Sequence, residues 1–402
     1  MKKKILLFLI MITFIVGSIY SLQKEDKIKI NTDGISIIIP DDIRNKIIKE
    51  LEEISDQLLS IIKQDTMDGY SLGLGSPSLS KEGVKNIYNY LRHKDICIDD
   101  IQGYYDLENR NVFEAFWESY RNKEDATFTY YSISQSGNIE RSDYYFEDNI
   151  LCVIYSELDF SNIKPQVINI YGEQIKNLNY ENGFFYYQRI VSEWIKMYGG
   201  IEYDYIRIEP LGEINREYTQ KYIGTIDYQC TNLFIEDWNE ETINIIYFND
   251  LLEYLYELKY DKPFYASEFN YSSNPFIKEI DAHFFEQLIR EYFNASNDDM
   301  RDYSIYNKEK DIYYWNEACC VPSKLETPQY VGEVINIEKN NEYLTLTVQV
   351  HGYEFGFSNG FKHKIYIKNS STGYQYIGNE IIKSNNNNIP IYTPGVTQDS
   401  IY

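Results

Sequence analysis

The chain is poor in cysteine, in histidine and in positive charge, and each shortage removes a class of function. The cysteines are Cys97, Cys152, Cys230, Cys319 and Cys320, an odd number at scattered spacing. No C-x-x-C pair occurs, so the usual zinc and thioredoxin-type motifs are absent, and this is no disulfide scaffold. Cys152 sits in an apolar alternating pattern and reads as a small buried hydrophobe. Cys319 and Cys320 read as two independent thiols. The four histidines, His93, His283, His351 and His363, form no H-E-x-x-H motif. They read as surface or rim residues, with His351 ending and His363 beginning neighbouring predicted strands. There is no G-x-S-x-G nucleophile elbow. Gly73-Leu74-Gly75 lacks the strand and glycine register of a phosphate loop and reads as a flexible connection. No cofactor and no metal are expected.

Lysine and arginine total 38 against 62 aspartates and glutamates, a net charge of −24. Binding phosphates requires basic side chains that replace counterions, so this balance argues against nucleic acid. It argues equally against a broad electrostatic dock on anionic lipid.

Long apolar runs are also missing, with one exception at the start. Lys2-Lys3-Lys4 precede an apolar stretch from Ile5 to about Leu22, broken only by polar residues of small size. A positive region followed by an apolar run and small residues is an export signal. The run approaches the roughly 18 residues that begin to span a bilayer, so two outcomes stay open, cleavage after Ser18 or Ser21 and retention as an anchor. Either places the remainder outside the cytoplasm. Membrane contact is expected only through residues 5–22, and only if the leader is retained.

What the chain has in excess is tyrosine, 41 residues of 402. Tyrosine at this level serves half-buried strands and helices; the alternative is an exposed aromatic face for carbohydrate or peptide.

The most regular stretch runs from Ile280 to Ile382. Asp281 is placed to cap a helix carrying Phe284/Phe285, Leu288/Ile289 and Tyr292/Phe293 on one face, with Ile280 and Phe285 at staple spacing. Downstream, Leu344, Leu346, Val348 and Val350 alternate with polar residues as a half-buried strand. The same helix-then-meander grammar occurs earlier. Helices are predicted over 41–63, 81–92 and 111–121. Strands follow over 127–135, 139–147, 150–158, 166–177 and 184–190, with turns at Ser136-Gly137, Asp148-Asn149 and Asn182-Gly183. The fold class is α+β, built of helix-plus-antiparallel-sheet units like the rolls of cystatin or nuclear transport factor. The expected division is a leader at 1–22 and an N-terminal α+β domain at 23–198. A linker at Gly199-Gly200 leads to a middle α/β segment at 201–275. A C-terminal helix-plus-meander domain at 276–382 and a disordered tail at 383–402 complete it. Within the middle segment, 222–234 and 243–247 read as strands, and Asn249 reads as a helix cap.

The best candidate for chemistry is the acidic loop Glu236, Asp237, Glu240 and Glu241 around Trp238. A glycosidase needs two carboxylates at fixed separation beside a sugar-stacking aromatic, and these residue types are present. Asp237, Asn239 and Glu241 alternate as calcium ligands do, but Thr242 stands where such a loop requires glycine. A solvated acidic loop is the plainer reading.

Three segments carry a resemblance. They are Ile206-Arg207-Ile208-Glu209-Pro210 with Lys221-Tyr222-Ile223-Gly224 and Asp237-Trp238; Phe248-Asn249-Asp250-Leu251-Leu252-Glu253-Tyr254-Leu255-Tyr256; and Tyr292-Phe293, Leu344-Thr345-Leu346-Thr347-Val348 and 374–382. Together they resemble an uncharacterised family of exported or lipid-anchored proteins of Clostridia-type Gram-positive bacteria. The resemblance implies export and a domain of unknown function. The lipid-attachment cysteine that many such proteins carry is not found after this leader. Three functions follow for consideration: a non-catalytic binding module with a protein or glycan partner, an envelope glycan hydrolase using carboxylates near Trp238, and a structural or accessory subunit.

Overall fold

A computed structural model describes residues 27–31, 33–67, 79–94, 96–100, 103, 105–134, 137–160, 164–190, 203–224, 226–260, 264, 270–271, 277–316, 330–352, 360–369 and 373–401. The leader, Gly73-Leu74-Gly75, Gly199-Gly200, Cys319 and Cys320 lie outside the described residues. No helix among those described is long and apolar enough to cross a membrane. The fold is α+β, and the chain divides into two compact units.

Unit 1 comprises 1–102, 108–177 and 189–202. It opens with a small hairpin, β1 (Lys29–Ile30) and β2 (Ile37–Ile38). Asp33 organises the turn, its carboxylate accepting from the Ile35 and Ser36 amides at 2.9 Å each. Helix α1 (Asp41–Met67) begins directly after Pro40 with two acids that suit the positive end of its dipole. It buries Ile47, Leu51, Ile54, Leu58 and Ile62. Helix α2 (Lys81–Arg92) is capped by Ser80, whose side chain accepts from Gly83 N. Next come β3 (Cys97–Asp100), α3 (Asn111–Arg121), β4 (Ala126–Ile133), β5 (Ile139–Glu147), β6 (Ile150–Asp159) and β7 (Gln166–Glu181). Strands β4 to β7 form the expected antiparallel meander. Asp148 and Asn149 both take left-handed φ values, 51° and 62°, as a two-residue hairpin turn requires. Strand β3 departs from expectation, because it pairs parallel to β4. The intervening α3 serves as the crossover that parallel strands need.

One face of this sheet carries a buried ion network. Arg141, 2% exposed, makes a two-pronged contact with Asp143 at 2.7 and 2.9 Å. Its remaining nitrogen donates to Tyr131 Oη at 3.1 Å and pairs with Glu50 of α1 at 2.8 Å. Thr129 Oγ1 adds a 2.5 Å bond to Asp143.

Unit 2 comprises 103–107, 178–188 and 203–402. It includes the end of β7, then β8 (Phe184–Arg189) and β9 (Tyr203–Arg207), paired antiparallel. Asn182 and Gly183 turn into β8 with φ values of 52° and 82°. After α4 (Glu213–Tyr222) the chain is buried but irregular. The predicted strand at 222–234 is instead a series of turns, held by Asp227, whose side chain accepts from Gln229 N and Cys230 N. The strand expected at 243–247 is a 3-10 turn, Ile243–Ile245. An apolar run guarantees burial, not extension, and here side-chain acceptors satisfy the backbone in place of a ladder.

Strand β10 (Trp238–Asn239) and helix α5 (Phe248–Tyr260) follow. Asn249 is not a cap. It is fully buried, its amide donating to the Ile305 and Tyr314 carbonyls while its oxygen accepts from Ile305 N. Then come β11 (Asn270–Tyr271), β12 (Ile277–Asp281), α6 (Ala282–Tyr292), α7 (Asn297–Tyr303), β13 (Tyr306–Asn307) and β14 (Ile312–Asn316). Asp281 caps α6 as expected, accepting from Phe284 N at 3.0 Å, and both staple residues, Ile280 and Phe285, are fully buried. The closing meander is β15 (Tyr330–Lys339), β16 (Tyr343–Gly352), β17 (Phe361–Asn369) and β18 (Tyr374–Ile382), with β10 added beyond β18.

Two expected boundaries dissolve here. A single hydrophobic core runs from Tyr222 to Ile381, so 201–275 and 276–382 are one unit. The tail expected to be disordered is also built in. Val396 is wholly buried in a cluster with Ile277, Ile305 and Tyr314. Asp250 on α5, 2% exposed, accepts from Tyr392 Oη and from Gly395 N. The asparagine run concealed this, because the anchoring residues lie beyond it. Burial pushes the Asp250 carboxyl up to about 6 although the Tyr392 bond pulls the other way. Tyr392→Phe removes a hydrogen bond to a buried acid. It is expected to cost about 1.5–3 kcal/mol in urea unfolding at pH 8; an unchanged midpoint would show that the tail does not depend on this bond.

Candidate functional site

The acidic loop of unit 2 is used for docking a strand. Trp238 is 4% exposed, its indole N–H donates to Leu233 O at 2.8 Å, and its ring packs on Phe293. The ring is thus enclosed and offers no stacking platform, contrary to expectation. Asp237 Oδ1 accepts from Ile381 N at 2.6 Å, and the Glu236 carbonyl accepts from Asn379 Nδ2 at 2.8 Å. Asn239 Oδ1 accepts from the Glu241 and Thr242 amides in a turn, and Glu240 accepts from Asn294. The Asp237 carboxylate and the Glu236 carbonyl thus hold this segment against β18, while Glu240 turns to Asn294. No grouping of three metal-ligating side chains exists among the described residues.

His351 and His363, read as rim residues, are buried. His363 is bonded at both ring nitrogens, to Asn379 Oδ1 at 2.6 Å and Tyr228 Oη at 3.1 Å. His351 Nε2 lies 3.5 Å from Glu333, which also holds Arg207 at 2.9 Å. Cys97, Cys152 and Cys230 are buried free thiols. Burial pushes Cys152 up to about 12 and Cys97 higher still, which leaves both as inert thiols at neutral pH.

The arrangement best suited to a ligand is in unit 1, on the sheet face opposite Arg141. Alternation places Phe128, Tyr130 and Ser132 of β4 on this face, with Tyr144, Ser142 and Glu140 of β5, and Tyr155 and Glu157 of β6. Helix α3 covers the apolar half, Phe113 and Phe116 packing on Phe128. Beyond the helix the face becomes polar and partly accessible.

Asp99 of β3 anchors one side. Its Oδ1 accepts from Tyr130 Oη at 2.5 Å and from Ser132 Oγ at 3.1 Å. Burial pushes its carboxyl up to about 8, aided by the charges of Asp100 and Glu140 and opposed by the two hydroxyl bonds. Asp99 keeps part of its surface accessible, yet the packed β3–β4 edge withdraws most of its carboxyl from water. Glu157 anchors the other side as a clamped acceptor. One oxygen accepts from Asn138 Nδ2 at 2.7 Å and the other from Asn169 Nδ2 at 3.1 Å. Asn138 is itself oriented by Phe160 N. Asn169 reaches Glu157 because β7 bulges opposite Ser156, and Asn169 takes the left-handed φ of 57° there. Beside Glu157, on β6 and β7, stand Tyr155 and Tyr171, ring centroids 5.2 Å apart, with Tyr171 47% exposed.

Sequence patterns identified β4 to β7 but neither β3, which supplies Asp99, nor the convergence of these residues, which depends on register across β3 to β7. The one local signal was Asn169 near the start of a long strand pattern, where asparagine suits the left-handed backbone of a bulge.

Residues 44–395 match the family described as Family of unknown function (DUF6070). The chain belongs to that family. The matched span starts within α1 and ends at the tail residue whose amide bonds Asp250, so DUF6070 takes in helices, sheets and docked tail alike. No curated protein and no solved structure matches the chain. For this DUF6070 member, function therefore has to be read from geometry. An open face with paired tyrosine rings and a clamped carboxylate acceptor, Glu157, can stack on a flat ligand surface and accept its hydrogen bonds.

Proposed function

We propose that this DUF6070 protein is a non-catalytic binding module displayed outside the cytoplasmic membrane, and that it binds through the tyrosine-and-acid face of unit 1. The observation that carries this reading is the accessible Tyr155–Tyr171 pair beside the doubly clamped Glu157. A carboxylate whose two oxygens are already oriented is a fixed acceptor, ready for a ligand rich in donors. The partner is a protein or glycan surface presenting hydroxyl or amino groups, which suits acidic acceptors and aromatic rings together. The leader at residues 1–22 supports export, whether cut or kept as an anchor. Intact-mass measurement on membrane and medium fractions distinguishes the two.

The binding test uses the Tyr155→Ala/Tyr171→Ala double variant, titrated by calorimetry with chito-oligosaccharides and with lysine-containing peptides. Loss of two stacking contacts is expected to weaken binding about tenfold. A wild-type protein that binds neither probe, or a double variant that binds equally well, would overturn the reading. Asp99 favours a second reading. A carboxyl with its pKa near 8, facing Glu140, has the protonation of a general acid. Glycan cleavage abolished by Asp99→Asn would establish an envelope hydrolase in place of the binding module.

A further inference from the structure

The small sheet of β11, β12, β14 and β13 in unit 2 is apolar on both faces. Ile280, Tyr313 and Trp315 lie in the main core. Alternation puts Ile277, Ile312 and Tyr314 on the other side, the side turned away from that core. Ile277 and Tyr314 are nevertheless only 1% and 5% exposed. Val396 and Ile401 lie on them, packed with Ile305 in a separate apolar cluster. The segment beyond β18 is therefore a strap across the outer face of this sheet.

The strap pairs with no strand among the described residues, and its regular structure there is a single 3-10 turn, Gln398–Ser400. Two of its polar attachments fall on one atom. Tyr392 Oη and Gly395 N both donate to Oδ2 of Asp250 on α5, the amide at 2.9 Å. Asn316 Nδ2 of β14 donates to Gly395 O at 2.7 Å. Asp250 is 2% exposed and forms no ion pair with any described residue. The strap sets the Tyr392 phenol against it, and the turn segment before β10 sets the buried Cys230 thiol there. The Tyr247 ring packs on Tyr392. Along α5 the neighbours of Asp250 are Asn249 and, three residues on, the buried Glu253.

We infer that this strap is proton-sensitive, closed over Ile277, Ile305 and Tyr314 in acid and loosened as the medium turns neutral. Closing it takes the Asp250 carboxyl out of water, which disfavours the charged form. Burial pushes that carboxyl up to about 6 in the closed state, against the pull of the Tyr392 and Gly395 bonds. In the open state the carboxyl meets water and returns to about 3.9. The closed form therefore holds a proton more tightly than the open one. Closure is strongest below the open-state value and weakens as pH rises through 6. Both strap bonds fall on Oδ2, so a proton carried on Oδ1 leaves them in place. The Val396 packing and the Asn316 bond do not titrate, so the strap loosens by a fixed factor and is not expelled.

The test is hydrogen exchange of the full chain at pH 5 and pH 8, read by mass spectrometry on peptides from residues 392–401. Rates corrected for the intrinsic pH dependence of exchange give the opening equilibrium of the strap. In wild type that equilibrium is expected to be about tenfold larger at pH 8 than at pH 5. Asp250→Asn keeps an acceptor oxygen and cannot titrate, so its strap should open equally at both pH values. Peptides from α6, which lies in the main core, should show no such change in wild type. Equal opening of the wild-type strap at the two pH values would overturn the inference. So would a tenfold change that persists in Asp250→Asn. A change in α6 in step with the strap would overturn it too, because the whole unit would then be loosening. The wild-type comparison between strap and α6 decides the matter whether or not the variant folds.

Discussion

Arg141→Ala should destabilise unit 1 by about 3–5 kcal/mol, the cost of stripping one partner from a buried ion pair. Arg141 and Asp143 are each 2% exposed, and Asp143 has a two-pronged contact with the guanidinium. Burial disfavours the charge on Arg141, but the Asp143 carboxylate outweighs it and raises the guanidinium pKa. Removing the arginine leaves Asp143 charged and dry, with Thr129 as its remaining bonded side chain, and frees Glu50 and Tyr131 as well. The loss arises from the acid left behind more than from the attraction itself. Arg141→Met/Asp143→Leu, which removes both charges and refills the volume, should therefore recover most of the stability. Urea unfolding at pH 7 checks both. A single variant within 1 kcal/mol of wild type would mean that water reaches Asp143. A double variant no better than the single would mean that the network contributes more than its pairwise charges.

Arg141 and Asp143 also show where sequence reading stops. An i, i+2 pair in a strand pattern shares a face, and that much is visible from spacing. Which face lies under α1 is not visible, and the cost of the pair depends entirely on that. The same limit explains the site. The α6 cap at Asp281 and the alternation of β16 are local, so both were legible. Asp99 meeting Tyr130, or Glu157 meeting Asn138 and Asn169, depends on pairing between segments far apart in sequence. Trp238 illustrates the reverse error. An aromatic among acids looks exposed from composition, yet the two-residue β10 pairs with β18 and carries the ring into the core. The tail was misread likewise, because a composition rich in asparagine gives no hint that Val396 will find Ile277 and Tyr314.

His363 should make the protein acid-labile well above the range where carboxylates usually protonate. The ring is fully buried, and its Nδ1–H donates to Asn379 Oδ1 while Nε2 accepts from Tyr228 Oη. That pattern is filled by the neutral ring alone, since a second N–H would point at a hydroxyl already donating. Burial lowers the pKa to about 4, against 6.5 for a free histidine. The unfolded chain thus takes up a proton before the native state does. Stability from this group is complete above pH 6.5 and is lost as pH falls through 4, by about 3 kcal/mol in all. Asp227 and Asp250, each raised by burial to about 6, act in the opposite sense in the same window. Wild type alone would show only the sum. The difference between wild type and His363→Gln, which cannot titrate, cancels the shared carboxylates. Unfolding free energies measured from pH 4 to 8 should show a wild-type advantage that is constant above pH 7 and shrinks by about 3 kcal/mol toward pH 4. A difference independent of pH would mean that the ring accepts a proton in the native state as readily as in the unfolded one.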